Sequence, residues 1–350
     1  MSWFKLGNKK SKAKDANSSS AGAESSDFDQ AEFEALAARQ VPERLADLFL
    51  VMEEHLNEVE LEDVTELVDS LKQPPPLVER LTSGLDDPEE LRKAILSSPT
   101  LSADVLRVVN SAAFALSTPI SSIEHAVNYL GTTMVKGLVL QSAITQVMQF
   151  ETDVQKAAYM RIWRSSYVAS AAAQSYAQAL DWSNPSIFAT RALLVNVGDL
   201  ALISSRPDLA AIYAPKTTLL DRVEGQQREM MTNSAVLSSM LAKQWGLPED
   251  LFTALRFALT PLSWEVADAE RSPEQRQETL LLYIACRIGD AVAYQSLKEV
   301  DEFKLVDEDS LDLFQIPAYL KHCELTSLLS ITQDRKHNRR AQQAIASFAG

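Results

Sequence analysis

The sequence predicts an all-α chain, a compact multi-helix domain with additional helices before and after it. Three observations carry that expectation. Only 10 glycines occur in 350 residues, while Ala, Leu, Glu and Gln recur throughout, residues that favour helices over the turn-rich composition of sandwiches and barrels. Apolar positions return every three or four residues along most of the chain, the period of one helix face. The two-residue alternation of a half-buried strand is absent over any useful length. At 46% hydrophobic and 23% charged, the chain can fill one large or two medium cores.

Taken in order, residues 1–26, with SKAKDANSSSAGAESS, form a basic leader predicted to stay disordered, because it has too little apolar surface to bury. Phe33, Leu36 and Ala37, then Leu45, Leu48, Phe49 and Met52, then Leu61, Val64, Val68 and Leu71 are spaced by three and four. They predict two or three acidic amphipathic helices, assigned to residues 27–67, with Pro42 near the start of the second. A core domain follows over residues 68–261. Asp87 ahead of Pro88, Glu89 and Glu90 is a helix start with acids at the positive dipole end. Pro99 opens a helix carrying Leu101, Val105, Leu106 and Val109, running to about Asn110. Ser121 and Glu124 have capping-box spacing ahead of Ile123, Ala126, Val127 and Leu130, and Gly131 suits a left-handed stop. Thr132 or Thr133 can cap the next helix, which reaches about Phe150. A long helix spans about Val154 to Leu180. The stretch RALLVNVGDLALI lies in another from Pro185 to Ile203, and WGLP at 245–248 ends one helix and begins the next. Residues 262–350 read as a C-terminal extension of three or four helices, interrupted by VDEDSLD and Pro317, and no repeat of solenoid period is present.

The formal charge is −15, unevenly placed. Residues 1–20 hold five Lys and one Asp, residues 21–70 hold fifteen acids against Arg39 and Arg44, and everything after residue 70 carries −6. A net-acidic chain repels polyphosphate, which disfavours nucleic acid as a partner. The segment VLRVVNSAAFALSTPISSIEHAVNYLG looks like a helix-turn-helix, but its connection is too long and its second helix offers Glu124 and no Lys or Arg to a groove. No run of about 18 uncharged apolar residues occurs and the N-terminus lacks a signal-like apolar core, so a cytoplasmic chain without a membrane span is expected. Cys286 and Cys323 lack metal-type spacing and read as reduced structural thiols. His55, His125, His322 and His337 form no pair at ligand spacing, and each reads as a surface or half-buried histidine. With no Gly-x-Ser-x-Gly elbow and no glycine-rich phosphate loop, the residues themselves offer no catalytic, metal or cofactor site.

Several blocks, in order, resemble a known family: QPPPLVERL, SSPTLSADVLRVVNSAAF, ISSIEHAVNYLG, IWRSSYVAS, LLVNVGDLAL and WGLPEDL. The most specific are the turn at Asn110 and Ser111 followed by Phe114, and the Ile-x-Ser-Ile run that contains Ser122 and ends at Gly131. From about Val68 to Pro261 the chain resembles the HDOD domain, a non-catalytic relative of the HD phosphohydrolases found in bacterial signalling proteins. The resemblance implies a compact all-α fold. It also implies that Val195 and Asn196 stand where HD enzymes carry their His-Asp metal pair, ahead of Val197 and Gly198. Ser165 and Asn233 stand near two further ligand histidines, and Leu259 and Thr260 near the last pair.

Metal hydrolysis is therefore not expected. Asn196 is expected to hydrogen-bond inside the former cavity, to Ser165 or Asn233, because a buried amide needs partners. Asp199 is expected at a solvated rim with Arg191 on the same face, and Arg164 beside Trp163 completes that rim. Asn110 and Ser111 read as helix-end and turn residues. The function that follows is a non-enzymatic regulatory module acting through a protein partner, with a small ligand in the vestigial pocket left open. The competing reading, a degenerate phosphohydrolase, requires Arg161, Arg164 and Arg191 to cluster around a phosphate. The acidic helices before the domain and the extension after Pro261 either contact the partner or pack on the core.

Overall fold

A computed structural model describes residues 30–74, 76–82, 87–110, 119–263 and 271–346. The leader assigned to residues 1–26 lies outside them, as do Ser111 and Phe114. Helices and short 3-10 turns make up the structure, with no strand among the described residues, as the sequence predicts. Ahead of the core domain come α1 (Gln30–Ala37), α2 (Glu43–Ala46) and α3 (Glu58–Asp69). Then follow α4 (Leu77–Thr82), α5 (Pro88–Leu96), α6 (Pro99–Val109), α7 (Ile123–Leu130), α8 (Thr132–Val147), α9 (Asp153–Ala179), α10 (Pro185–Leu194), α11 (Val197–Ser205), α12 (Leu219–Met230), α13 (Ser234–Gln244) and α14 (Glu249–Arg256). The chain ends in α15 (Pro273–Tyr294), α16 (Ile316–His322), α17 (Leu328–Ile331) and α18 (Arg335–Ala346).

Helix starts follow local chemistry. Asp87 accepts from the N–H groups of Glu89 and Glu90 and has Pro88 behind it. Capping boxes at Thr152 with Gln155 and at Ser272 with Gln275 open α9 and α15, satisfying donors that the first turn leaves without partners. At α7 the cap is Ser122 rather than Ser121; its hydroxyl accepts from His125 N at 3.0 Å. Gly131, at φ +82°, both ends α7 and leads into α8, so neither threonine caps: Thr132 is already helical. The positive-φ turn that glycine allows joins the two helices through this single residue.

The centre of the fold is α9, which packs against α15, α10 and α18. Ala169, Ala172, Ala173 and Ala177 are buried along it, and small side chains let the neighbours come close. The closest approach is at Gly289 of α15, where a Cβ would lie 2.2 Å from the backbone oxygen of Ser165. Gly198 does the same for α11 against α13, where a Cβ would sit 2.2 Å from Ser234 O.

The helix predicted from Pro185 to Ile203 is in fact two, broken at Val195 and Asn196. The backbone groups freed by the break are taken by one side chain: Ser238 Oγ donates to Val195 O at 2.8 Å and accepts from Gly198 N at 2.8 Å. A tertiary hydroxyl thus stands in for helix hydrogen bonds, which local sequence cannot show. By length and composition Pro185–Ser205 is apolar enough to cross a membrane, yet 83% of that window is buried inside the fold.

Both extensions pack on the core. α1 lies on α16, α3 on α13, and α18 on α9. Arg44 reaches Asp221 at 2.7 Å and Glu224 at 2.6 Å, while Lys243 and Arg256 hold Glu53 and Glu54. Two positions of the apolar pattern face solvent, Phe49 and Leu61. For Phe49 the reason is that α2 lasts only four residues and the chain after it is not helical, so helical spacing has no meaning there.

Candidate functional site

Of the four positions singled out as vestigial ligands, the three polar ones are already hydrogen-bonded to other protein groups. Ser165, on α9, donates to Asp290 Oδ1 at 2.6 Å. Val195 is buried and has no donor atom in its side chain. Asn196 is partly buried and donates through Nδ2 to Ser166 Oγ at 3.0 Å, not to Ser165 or Asn233 as expected. Asn233 caps α13, accepting from Ala235 N and Val236 N, and donates to Val51 O at 2.7 Å. Thr260 is buried, with its hydroxyl taking a 3.2 Å hydrogen bond from Arg271. A valine, hydroxyls and amides tied down in this way do not fit a divalent metal that needs imidazole and carboxylate donors.

The expected rim is different too. Asp199 is not solvated; it is 6% exposed, and its Oδ1 accepts from Tyr213 OH and from Gln226 Nε2, both at 2.8 Å. Burial pushes its pKa up, against the opposing pull of the nearby Arg222 guanidinium and the two hydrogen bonds. Asp199 is paired through α12 and the 207–213 turn rather than with Arg191. Arg191 instead spans Asp250 at 2.7 Å and Glu278 at 2.8 Å. Arg161 donates to Tyr213 O at 2.6 Å, and Arg164 is half-buried with its pKa lowered by burial. Arg161 and Arg191 are thus each held by other protein groups, a backbone carbonyl for the first and two carboxylates for the second.

Asn110 reaches across the chain: Nδ2 donates to Leu106 O and Ile120 O, and Oδ1 accepts from Ile120 N at 2.7 Å. It ties the end of α6 to the backbone entering α7.

A stronger constellation went unremarked in the sequence. Asp290 of α15 receives Ser165, the Arg222 guanidinium of α12, and Arg287 Nη1 at 2.9 Å. Burial works to raise the Asp290 pKa, but the charges of Arg222 and Arg287 outweigh it and hold the carboxylate below its usual range. The Arg222 guanidinium lies 4.2 Å from the Tyr294 ring centroid and that of Arg287 4.9 Å from Tyr283. Beside them Asp312 accepts from Leu219 N and Leu220 N at the start of α12, where the dipole favours a carboxylate. The signal is in the sequence: LLYIACRIGDAVAY places Arg287 and Asp290 three apart inside an apolar helix, as RALLVNVGDLALI does with Asn196 and Asp199. Cys286, next to them, is buried and its thiol is pushed up to about 12 by that burial, so it is no nucleophile.

This buried lattice opens on a cleft of about 690 Å³, whose floor includes Arg287 and Asp290. A second hollow, of about 360 Å³, is lined by Arg191, Asp250, Phe257 and Glu278. Among the described residues no group of three or more His, Cys, Asp or Glu is placed to hold a metal ion.

Comparison with known proteins gives a consistent picture. The HDOD domain matches residues 71–261. An uncharacterised protein of Treponema pallidum (strain Nichols) is 23% identical over 205 residues, 55% of this chain and 38% of that protein. The chain therefore matches well under half the length of that relative. A signal transduction protein of Marinobacter aquaeolei VT8 superposes with a TM-score of 0.56 at 16% identity, over 86% of this chain and 67% of that one. An HDOD domain protein from Geobacter sulfurreducens superposes with a TM-score of 0.51 at 18% identity, over 82% and 98% of the two chains. A structure named as a phosphohydrolase, from Shewanella amazonensis SB2B, also reaches 0.51, at 21% identity over the same shares. At these identities the structures share the fold.

Proposed function

The chain belongs to the HDOD domain family, and from that membership we propose that it is a non-enzymatic regulatory module of signal transduction, acting through protein contacts. One observation supports the reading: Ser165, Asn196 and Asn233, which with Val195 stand where the family resemblance puts HD metal ligands, are bound to other protein groups. Metal-assisted hydrolysis needs a metal held by several donors with an open position for water, and this set supplies neither. Output then has to act through a surface. The exposed face of α3, with Glu58, Val59, Glu62, Asp63 and Glu66, offers acidic groups around an apolar contact to a basic partner.

The test is the metal content and phosphodiesterase activity of the full chain expressed with added manganese and iron. Trace metal and no metal-stimulated hydrolysis of bis(p-nitrophenyl) phosphate are expected, with Asn196→Leu changing neither. Stoichiometric metal together with hydrolysis would reverse the assignment and restore the phosphohydrolase reading.

A further inference from the structure

Two helices leave a charged face without a partner, and the two faces have opposite sign. α3 packs on α13, buries Val64, Leu67 and Val68, and turns Glu58, Val59, Glu62, Asp63 and Glu66 to solvent. Glu58, Glu62 and Glu66 recur every four residues, so like charges line up along the helix and work against it. The basic side chains that reach this part of the chain go elsewhere: Arg44 to Asp221 and Glu224, Lys243 to Glu53, and Arg256 to Glu54. Among the described residues, none of the four exposed acids of this face makes an ion pair. Beside them Val59 is 67% exposed.

α18 is the converse. It packs on α9 and on the 300–302 turn, burying Asn338, Ala341, Ala344 and Ile345, and exposes Lys336, Arg339 and Arg340. Arg335 is held by Asp301 at 2.7 Å, whereas these three make no ion pair among the described residues. The acidic line runs about 12 Å along α3 and the basic one about 6 Å along α18, so the cations fit within the length of the acids. Their aliphatic stems can cover Val59 while the charged ends reach the carboxylates. A polycation would satisfy α3 alone and a polyanion α18 alone, but a second copy of the chain satisfies both. At physiological ionic strength the distant charges of two acidic copies are screened beyond about 8 Å, and the facing charges decide the contact.

We infer that the chain self-associates, with the acidic face of α3 on one copy docked against the basic face of α18 on another. The contact joins two different surfaces, so it is made twice in a two-fold dimer or once per junction in a longer assembly. It names the partner of the α3 face and rests on reading that face as a contact surface.

The experiment is sedimentation velocity of the full chain at about 100 μM protein in about 0.15 M and about 1 M salt, between which the screening length falls from about 8 to about 3 Å. A species heavier than the monomer is expected at the lower salt and the monomer at the higher. Glu62→Lys with Asp63→Lys and Glu66→Lys reverses one face; Lys336→Glu with Arg339→Glu and Arg340→Glu reverses the other. Each reversal is expected to weaken association about tenfold or more, and because the positions are exposed, circular dichroism is expected to stay that of the wild type. An equimolar mixture of the two reversed proteins is expected to restore the heavier species, since α3 of each again meets an α18 of opposite sign on the other. Should a reversal unfold the protein, Glu62→Gln with Glu66→Gln is expected to weaken association about threefold to tenfold, and unchanged affinity there would overturn the inference. So would a monomeric wild type at the lower salt, or folded reversed proteins that still self-associate or whose mixture stays monomeric. Association lost in the variant Lys9→Ala, Lys10→Ala, Lys12→Ala, Lys14→Ala would give the α3 face to the basic leader instead, and association lost on nuclease treatment would give α18 to a nucleic acid; either result overturns the contact. A monomeric chain leaves the metal and hydrolysis result standing, so the two readings fail separately.

Discussion

Two arginine–carboxylate clusters in this molecule look alike on paper and differ in what surrounds them. Arg191 is itself buried, but its partners Asp250 and Glu278 have side chains 60% and 35% exposed. Arg222 and Arg287 share Asp290, and all three side chains are 10% exposed or less. In the first cluster water competes for both carboxylates, so each contact adds little. In the second all three charges are shut away from water, so removing any member leaves its partners in a low-dielectric interior. A count of ion pairs would rank Arg191 as the equal of Asp290; the surroundings reverse that.

The largest effect is expected at Asp290. Replacing it with Asn removes the one carboxylate that both buried guanidiniums contact and should cost about 3–5 kcal/mol, read as a drop in the urea midpoint. The same carboxylate sets the acid limit. Because its folded pKa is depressed below the usual 3.8, its contribution is complete above that value and is lost as pH falls through the folded value. Acid unfolding of Asp290→Asn should lack this component. Next is Ser165→Ala, which deletes a hydrogen bond to a buried charge and is expected to cost about 2 kcal/mol. An unchanged midpoint would show that the arginines alone hold Asp290.

Asp199 runs the other way. Its folded pKa is raised, so the native state binds the proton more tightly, and its contribution improves as pH drops from the raised value towards 3.8. Asp199→Asn keeps an acceptor for Tyr213 and Gln226 while removing the charge. It is expected to stabilise the protein by about 1 kcal/mol near neutral pH and to abolish that acid-side gain, measured as urea midpoints across the pH range. The smallest effect is expected for Asp250→Ala, below about 1 kcal/mol, because Glu278 remains on Arg191. A larger loss would mean that the two clusters differ less than their exposure indicates.

Much of the fold was legible before any coordinates. Apolar spacing and capping residues located α5, α6, α9 and α14, because these signals act within one or two helical turns. The α6–α7 blocks and the VNVGDLAL block carried the family, and the family carried the all-α architecture. The site was legible only in part. Sequence spacing could say that Val195 and Asn196 are not a His-Asp pair. It could not say that Asn196 turns to Ser166, that Asp199 faces Tyr213 and Gln226, or that Ser165 meets Asp290, which is 125 residues away.

What this sequence determined by itself is therefore the helical class, the starts of several helices and the absence of histidine and carboxylate at Ser165, Val195, Asn196 and Asn233, all properties of residue type and short-range spacing. What only the tertiary structure decided is which charges share an interior. Gly289 lets α15 touch the Ser165 backbone, and Ser238 breaks the α10–α11 run. The meeting of α9, α12 and α15 then brings Ser165, Arg222, Arg287 and Asp290 together. The reason is physical: a charge's energy depends on its dielectric surroundings and its nearest opposite charge, and both are fixed by helices far apart in the chain.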